Sequence, residues 1–336
     1  MTSALGGRPL EGLSAIVTGA GRGLGRAEAL ELARLGAAVV VNDYGRPGRD
    51  GSGEVSTGPA EEVAASIRAA GGRAVAHIGD VSDHEQAREL VALAVARFGK
   101  LDILVNNAGI LRDRMVFSMS EDEWDSVVRV HLKGHFNTIR FASAHWRARA
   151  KSGEGGGGGG GGGRVYGRVV NTSSEAFLAG SAGQPNYAAA KGGIVGLTTS
   201  TALALAKYGV TANVICPRAR TRMTEDVFAN LPGAATDGEG AGLDPLAPEH
   251  VAPLVGYLAS PAAARVNGQL LVVHGGMVAI VERPRVRAKF DTKQDAFTYD
   301  ELDGLLTPHY AGRPEGETFA AAEVLGLRHD RGTAQG

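Results

Sequence analysis

The chain has 336 residues, 43% of them hydrophobic, and its formal net charge at pH 7 is −1. This length can bury a large core and is compatible with one large α/β domain plus an appendage. The near-zero charge gives no electrostatic case for binding nucleic acid or an anionic membrane surface.

Cysteine use and hydrophobic runs narrow the expected location. The single cysteine, Cys216, excludes an intramolecular disulfide and fits a reducing compartment. No apolar run approaches the ~20 residues needed to span a bilayer. Residues 1–12 lack a signal-peptide core, and the last residues do not form a peroxisomal address. We therefore expect a cytoplasmic protein without a membrane segment, and we predict no metal site.

Strand and helix patterns alternate along the chain, which predicts a doubly wound, Rossmann-type parallel sheet of about seven strands. The predicted strands are 15–18, 38–42, 74–78, 103–106, 169–172, 210–215 and 269–273. The predicted helices are 26–35, 60–70, 83–98, 120–149, 186–208 and 250–259. Residues 1–277 are predicted to form this domain and residues 278–336 a C-terminal extension.

A glycine-rich sequence connects the first strand to the first helix. Residues 18–25 read Thr-Gly-Ala-Gly-Arg-Gly-Leu-Gly. A strand, a glycine turn and a helix in this order are what a dinucleotide site requires. Glycines let the backbone approach the pyrophosphate, and the helix N-terminus supplies free N–H groups. The candidate cofactor contacts in this loop are Gly19, Arg22, Gly23, Leu24 and Gly25.

The second strand ends at Asp43, about where a carboxylate would bind the adenosine ribose hydroxyls. Such a carboxylate accepts both hydroxyls of NAD and repels the 2′-phosphate of NADP. Arg22 pulls the other way, because it can pair with that phosphate. Repulsion at contact distance is the stronger discriminator, so NAD is the predicted cofactor and NADP is possible. The alternative for Asp43 is an aspartate that caps a turn.

Acid–base chemistry is predicted from Tyr187, the one tyrosine of seven with a lysine four residues later. On a helix this spacing puts the phenol and the ammonium of Lys191 on one face. A phenol titrates near pH ~10 in water, and a neighbouring cation favours the phenolate. Ser174, from a separate strand end, can hold a substrate oxygen beside the phenol. This arrangement predicts an acid/base site for an alcohol or a carbonyl. The alternatives are a core tyrosine over a surface lysine, and a serine that bonds its own backbone.

In combination these motifs, with Asn-Asn-Ala-Gly at 106–109, resemble the short-chain dehydrogenase/reductase superfamily over residues 10–277. Residues 41–43, 107–114 and 130–134 are similar to the dehydrogenase domain of multifunctional enzyme type 2, and relatives act on 17β-hydroxysteroids. The resemblance implies NAD-dependent oxidation of a (3R)-hydroxyacyl-CoA. A hydroxysteroid or terpenoid alcohol is the alternative substrate, and a non-catalytic nucleotide-binding protein is a further alternative. A homodimer or homotetramer is expected by analogy.

The resemblance also assigns roles to residues of the site. Lys191 would bond the nicotinamide ribose, Asp80 would approach adenine and Thr221 would meet the nicotinamide end. Asn107 would lie along the cofactor. Further candidate cofactor contacts are Val81, Ala108, Gly109, Tyr187 and Pro217. Asp80 or Ser82 could instead cap the following helix, and Asn107 could serve only to tie neighbouring strands.

Two positions depart from the superfamily pattern. In most of the superfamily an asparagine at the position of His131 supports a water of the proton relay. The multifunctional enzymes, like this chain, have a histidine there. It would join that relay or be a packed helix residue. Arg218 stands where Pro-Gly is usual, and with Arg220 and Arg222 it predicts a cationic rim that is solvated or steers a charged substrate.

Four segments lie outside the core pattern. The glycine run 155–163 is predicted to be a surface loop without a function, and residues 217–248 are predicted to be a substrate lid. Residues 45–58 fold over the cofactor or bridge to the next helix. In the extension, the basic stretch 283–289 is expected either to be a solvated face or to lie near the phosphates of coenzyme A. The extension as a whole is expected either to cover the active site or to brace a dimer.

Overall fold

The computed structural model describes residues 7–46, 48–153, 163–221, 244, 246–314 and 317–328. Most of the glycine run and of the lid, including Arg222, lie outside the described residues.

An eight-stranded sheet organises the described residues, in the strand order β3-β2-β1-β4-β5-β6-β7-β8. The strands are β1 (Ser14–Val17), β2 (Ala38–Asp43), β3 (Ala74–Ile78), β4 (Ile103–Asn106), β5 (Gly167–Thr172), β6 (Val210–Pro217), β7 (Leu270–His274) and β8 (Met277–Ile280). The first seven are parallel, and β8 pairs antiparallel with β7. The order reverses between β1 and β4, which is where ligands bind in such sheets.

Helices cover both faces of the sheet. They are α1 (Gly23–Arg34), α2 (Gly58–Ala69), α3 (His84–Phe98), α4 (Glu121–Val128), α5 (Gly134–Lys151), α6 (Glu175–Ala179), α7 (Pro185–Leu205), α8 (Ala252–Ala259) and α9 (Tyr299–Ala311). Successive strand residues point to opposite faces. In β1, Ala15 and Val17 therefore join the core under α1, α2 and α8, and Ile16 joins the core under α3, α5 and α7.

The doubly wound parallel sheet predicted from the sequence is confirmed, with one strand more than expected. The seven predicted strands are present within a few residues of their bounds. The pattern missed β8, whose side chains alternate between half-buried and exposed. It also missed α6, a helix of five residues.

The long helix predicted over 120–149 is interrupted. The capping box of Ser120 and Glu123 starts α4 as expected, but a π turn at Arg129–Lys133 separates α4 from α5. A π turn inserts one extra residue, and periodicity alone does not reveal it. The cap of α3 also differs from the prediction, because Asp83, rather than Asp80 or Ser82, accepts the N–H of Gln86 at 2.9 Å.

One carboxyl group in α1 is buried without a partner. Glu28 is fully buried, and neither carboxyl oxygen has a hydrogen-bond partner within the described residues. Burial raises the pKa of Glu28 to about 8, because its charged form loses hydration. The side chain is therefore protonated at neutral pH.

The C-terminal extension leaves the sheet after β8 and returns to it. Helix α9 starts at a capping box of Thr298 and Glu301 and has no buried residue. A 3₁₀ helix at Ala322–Gly326 then packs against α6, where the N–H of Ala321 donates to the carbonyl of Leu178 at 2.7 Å. No helix in the described parts of the chain is both long and apolar enough to cross a membrane.

Candidate active site

The glycine loop between β1 and α1 is packed so closely that side chains are excluded. A Cβ at Gly19 (φ 62°) would lie 2.8 Å from the Cα of Ala108, and one at Gly25 would overlap the carbonyl oxygen of Gly19. At Gly23 the space would admit a Cβ, 3.4 Å from Thr221, but the φ of 52° is one that residues with a side chain rarely adopt. The loop therefore presents backbone N–H groups at the start of α1, which fits a pyrophosphate.

Asp43 fixes this loop from the end of β2. One carboxylate oxygen accepts the N–H of Gly21 at 2.9 Å, and the other accepts the N–H of Gly45 at 2.7 Å. The turn-capping role is therefore present, and the same carboxylate lines the cavity beside the loop. Arg22 is exposed and also lines that cavity.

A cavity of about 570 Å³ lies at the carboxyl edge of the sheet. Its lining includes Gly19, Arg22, Gly23, Leu24, Asp43, Asp80, Val81, Asn107, Ala108, Gly109 and Thr221. Gly25 is buried behind the loop and does not line it. Most of the candidate cofactor contacts thus surround one space. The glycine cradle and the carboxylate fit a dinucleotide there.

Tyr44, Arg46 and residues 48–51 form a further wall of this cavity. The carbonyl of Arg49 accepts the N–H of Leu111 at 2.9 Å, and a Cβ at Gly51 would lie 3.3 Å from Ile110. These contacts connect the segment after β2 to the segment after β4, across the mouth of the cleft. Of the two alternatives for residues 45–58, folding over the cleft agrees with this geometry.

Asp80 and Asn107 also make contacts that serve the fold. An oxygen of Asp80 accepts the N–H of Ser82 at 2.8 Å, and the other lies 3.7 Å from Arg129. The amide of Asn107 donates to the carbonyls of Thr18 and Gly19, both at 3.2 Å. Asn107 therefore ties β4 to the glycine loop while it lines the cavity.

Tyr187, Lys191 and Ser174 come together at the start of α7. Nζ of Lys191 lies 5.4 Å from the centroid of the Tyr187 ring and donates to the carbonyl of Thr172 at 2.6 Å. The Ser174 hydroxyl lies close enough to the Tyr187 phenol to favour its charged form, and it accepts the N–H of Ala176 at 3.2 Å. The serine therefore bonds its own backbone and lies beside the phenol.

Burial controls the protonation of this pair. It raises the pKa of Tyr187 to about 12, against the smaller lowering effect of the Ser174 hydrogen bond. It lowers the pKa of Lys191, which is 2% exposed, to about 7. We expected Lys191 to lower the pKa of the phenol, but in this packing both groups favour their neutral forms because both charged forms lose hydration.

His131 lies on the π turn, edge-on to the phenol. Its ring centroid is 5.2 Å from that of Tyr187, and Nε2 lies 2.7 Å from the carbonyl oxygen of Ile110. Nδ1 is buried without a hydrogen-bond partner in the described part of the chain. Burial holds the pKa of His131 well below its usual value, so the ring is neutral. A Cβ at Gly109 would overlap the ring, which explains the glycine there.

A second histidine, which was not predicted from the sequence, is buried in α5. His135 is 2% exposed, and its Nε2 has no hydrogen-bond partner among the described residues. Burial lowers the pKa of His135 to about 3, with the charge of Lys191 as a second cause. Its spacing of four residues from His131 was the available signal.

The acid–base residues lie next to the cavity, but they do not form part of its wall in the described structure. Ser174, Tyr187 and Lys191 do not line the cavity, and they lie beyond the Gly109–Ile110 segment that touches both the cavity and His131. Pro217 ends β6 outside the cavity lining.

The cationic rim predicted at Arg218, Arg220 and Arg222 does not form at Arg218. Arg218 is 12% exposed and pairs with Glu175, and Arg220 pairs with Asp244 at 2.9 Å. Arg218 is thus a partly buried structural contact, because the carboxylate of Glu175 on α6 meets it. In the basic stretch 283–289, Arg285, Arg287 and Lys289 are exposed and lie near Glu282, Glu317 and Asp291.

Comparisons with known proteins agree with this geometry. The family model described as short chain dehydrogenase matches residues 14–232. Hydroxyacyl-CoA dehydrogenase ChsB1 of Mycobacterium tuberculosis is 52% identical over 94% of each chain. Peroxisomal multifunctional enzyme type 2 of Mus musculus is 41% identical over 80% of this chain, which spans 32% of that enzyme. The crystal structure of a short chain dehydrogenase from Mycobacterium avium matches with a TM-score of 0.76 and 45% identity, over 91% of this chain and 97% of that one.

Proposed function

Since this chain belongs to the short-chain dehydrogenase family, and is therefore an oxidoreductase that uses a nicotinamide cofactor on CH–OH groups, we propose that it interconverts a 3-hydroxyacyl-CoA and the 3-oxoacyl-CoA. The observation that carries the proposal is the convergence of Ser174, Tyr187 and Lys191 beside a glycine-lined cleft. The substrate class is supported by the hydroxyacyl-CoA dehydrogenase that is similar over 94% of the chain.

In the oxidation direction Tyr187 acts as the base that takes the proton of the substrate hydroxyl. Ser174 donates a hydrogen bond to the oxygen that becomes the carbonyl, and so fixes the angle of the substrate. A nicotinamide cofactor held in the cleft would supply the hydride acceptor and, in its oxidised form, a positive charge near the phenol. A cation there lowers the pKa of Tyr187 from the high value that burial gives it. In reduction the same phenol is the acid.

Lys191 and His131 act through Tyr187 in this proposal. Lys191 would bond the nicotinamide ribose, and its contact with the carbonyl of Thr172 holds Nζ beside the phenol. The unpartnered Nδ1 of His131 would bind a water that relays the proton away from the site.

NAD is the cofactor we propose. The carboxylate of Asp43 is fixed by two backbone N–H groups beside the glycine loop. In that position it accepts ribose hydroxyls and repels a 2′-phosphate. Gly19 and Gly23 would surround the pyrophosphate, with Gly25 packed behind them. Asp80 and Val81 would lie at the adenine, and Pro217 and Thr221 at the nicotinamide end.

Our proposal extends to the oligomeric state, the location and the domain organisation of the chain. We propose a cytoplasmic homodimer or homotetramer, to be tested by light scattering of the purified protein. We also propose that residues 1–277 form the catalytic domain and residues 278–336 an extension that covers the active site. The docking of Ala322–Gly326 against α6 supports this role of the extension.

The test is turnover with NAD, followed by the absorbance of the reduced nicotinamide. Purified protein is offered (3R)-hydroxyacyl-CoA thioesters of several chain lengths and a 17β-hydroxysteroid. Tyr187→Phe should abolish turnover, and Tyr257→Phe, an exposed tyrosine of α8, should retain it. Turnover of thioesters that survives Tyr187→Phe contradicts the mechanism. Silence on thioesters with turnover of the steroid contradicts the substrate class.

A further inference from the structure

Residues 317–328, called the C-terminal segment below, meet α6 at the guanidinium group of Arg218. Nε and Nη2 of Arg218 donate to the two carboxylate oxygens of Glu175, at 2.5 and 2.7 Å. Nη1 donates to the carbonyl of Leu327 at 2.8 Å, and Nη2 also donates to the carbonyl of Val324. Arg218 therefore connects the end of β6 to α6 and to a segment 106 residues later in the chain.

The contact depends on the shape of arginine. Its planar group presents several N–H donors in a fixed fork, whereas lysine presents one ammonium and cannot bond two carboxylate oxygens and two carbonyls in this way. The two side chains are 12% and 9% exposed, so solvent screens them little. Cys216 and His274 are close enough for the charge of Glu175 to act on their pKa values.

Glu175 directly follows Ser174, so the position of one affects the other. Ser174 is the N-cap of α6, and α6 has five residues, too few for a stable helix on its own. External contacts must therefore hold it. Arg218 supplies one at its first residue, and the bond from Ala321 to the carbonyl of Leu178 supplies another near its end.

We propose that Arg218 is a positioning residue, through which the C-terminal segment sets the Ser174 hydroxyl against Tyr187. The inference rests on the proposed function for its catalytic readout. Residues 322–326 thus contribute to catalysis without touching the substrate. Because small displacements of a positioning group have large kinetic effects, the loss of this contact should lower the turnover number.

The variant to test is Arg218→Lys in the full chain. We expect kcat to fall about tenfold or more, with the KM for NAD changed less than about twofold, because the cavity residues lie elsewhere. The matched control is Arg34→Lys, since Arg34 also bonds both oxygens of a glutamate, Glu31, at 2.7 Å, on the exposed side of α1. It should leave both constants unchanged.

A double-mutant cycle separates positioning from general damage. In a Ser174→Ala background, Arg218→Lys should lower kcat less than about threefold, because the hydroxyl that it positions is already absent. An equal loss in both backgrounds overturns the inference, as does an unchanged kcat in the single variant.

Hydrogen exchange tests the same coupling without turnover. The amides of α6 should exchange at least about tenfold faster in Arg218→Lys than in the wild type or in Arg34→Lys. Unchanged protection of α6 overturns the inference. If the wild type turns over none of the alcohols, the proposed function fails, and the exchange result alone decides whether Arg218 holds α6.

Discussion

The buried carboxyl of Glu28 should contribute a loss of stability as pH rises from mildly acidic to mildly alkaline values, whereas the buried bases His135 and Lys191 contribute in the opposite direction. The pKa of Glu28 is raised from 4.5 to about 8 in the folded chain. Between these values the folded state binds one proton more than the unfolded state, so the free energy of unfolding falls as pH rises. The stabilising proton is fully present below the unfolded pKa and is lost as pH rises through the folded pKa.

The size of the effect follows from the same shift. Each pH unit in this window costs about 1.4 kcal/mol, so from about pH 5.5 to about pH 8 the wild type loses about 3 kcal/mol through Glu28. Glu28→Gln keeps the shape and cannot ionise. Relative to wild type, the variant should therefore gain about 3 kcal/mol between the two pH values, whatever the fixed cost of the amide.

Urea unfolding of both proteins at the two pH values measures this gain. Comparison at equal pH cancels the other titrating groups, including the buried histidines. Glu62→Gln, at an exposed position of α2, controls for the loss of one carboxylate. If Glu28→Gln changes the free energy of unfolding equally at both pH values, Glu28 is not a buried neutral acid and the reasoning is refuted.

Three further substitutions test the site and the core. Gly109→Ala should lower kcat at least about tenfold, because its Cβ would displace the His131 ring. The control is Gly304→Ala in α9, where the space is open, and this change should be neutral or stabilise the fold by up to about 1 kcal/mol. Asp43→Ala should lower the NAD/NADP ratio of kcat/KM about tenfold or more, and an unchanged ratio would contradict the assigned role. Trp146→Phe should destabilise the fold by about 2–3 kcal/mol in thermal or urea unfolding, since its buried indole donates a hydrogen bond of 2.6 Å; a loss below about 0.5 kcal/mol would count against this.

Local patterns predicted the parts of the molecule that depend on neighbours in sequence. Apolar runs located the seven parallel strands, and the spacing of Tyr187 and Lys191 located one helix face. The glycine loop was recognisable because its order of strand, turn and helix is contiguous. These features need little information from distant residues.

The parts that were missed depend on contacts distant in sequence. Arg218 was noticed as unusual, but its partners lie 43 and 106 residues away, so the sequence could not distinguish a rim from a buried pair. The π turn leaves the helical composition of 120–149 unchanged. The raised pKa of Tyr187 follows from how completely α7 packs, which a spacing rule does not contain.

The antiparallel direction of β8 has a practical consequence for handling the protein. Because β8 runs back along β7, residue 281 starts at the amino edge of the sheet, and the chain must cross the sheet's height before Ala321 reaches α6 at the carboxyl edge. A fusion joined directly after Arg328 would therefore lie beside the catalytic edge. A tag placed before Leu10 precedes β1 at the opposite edge, and is the better choice for kinetic work and for immobilisation.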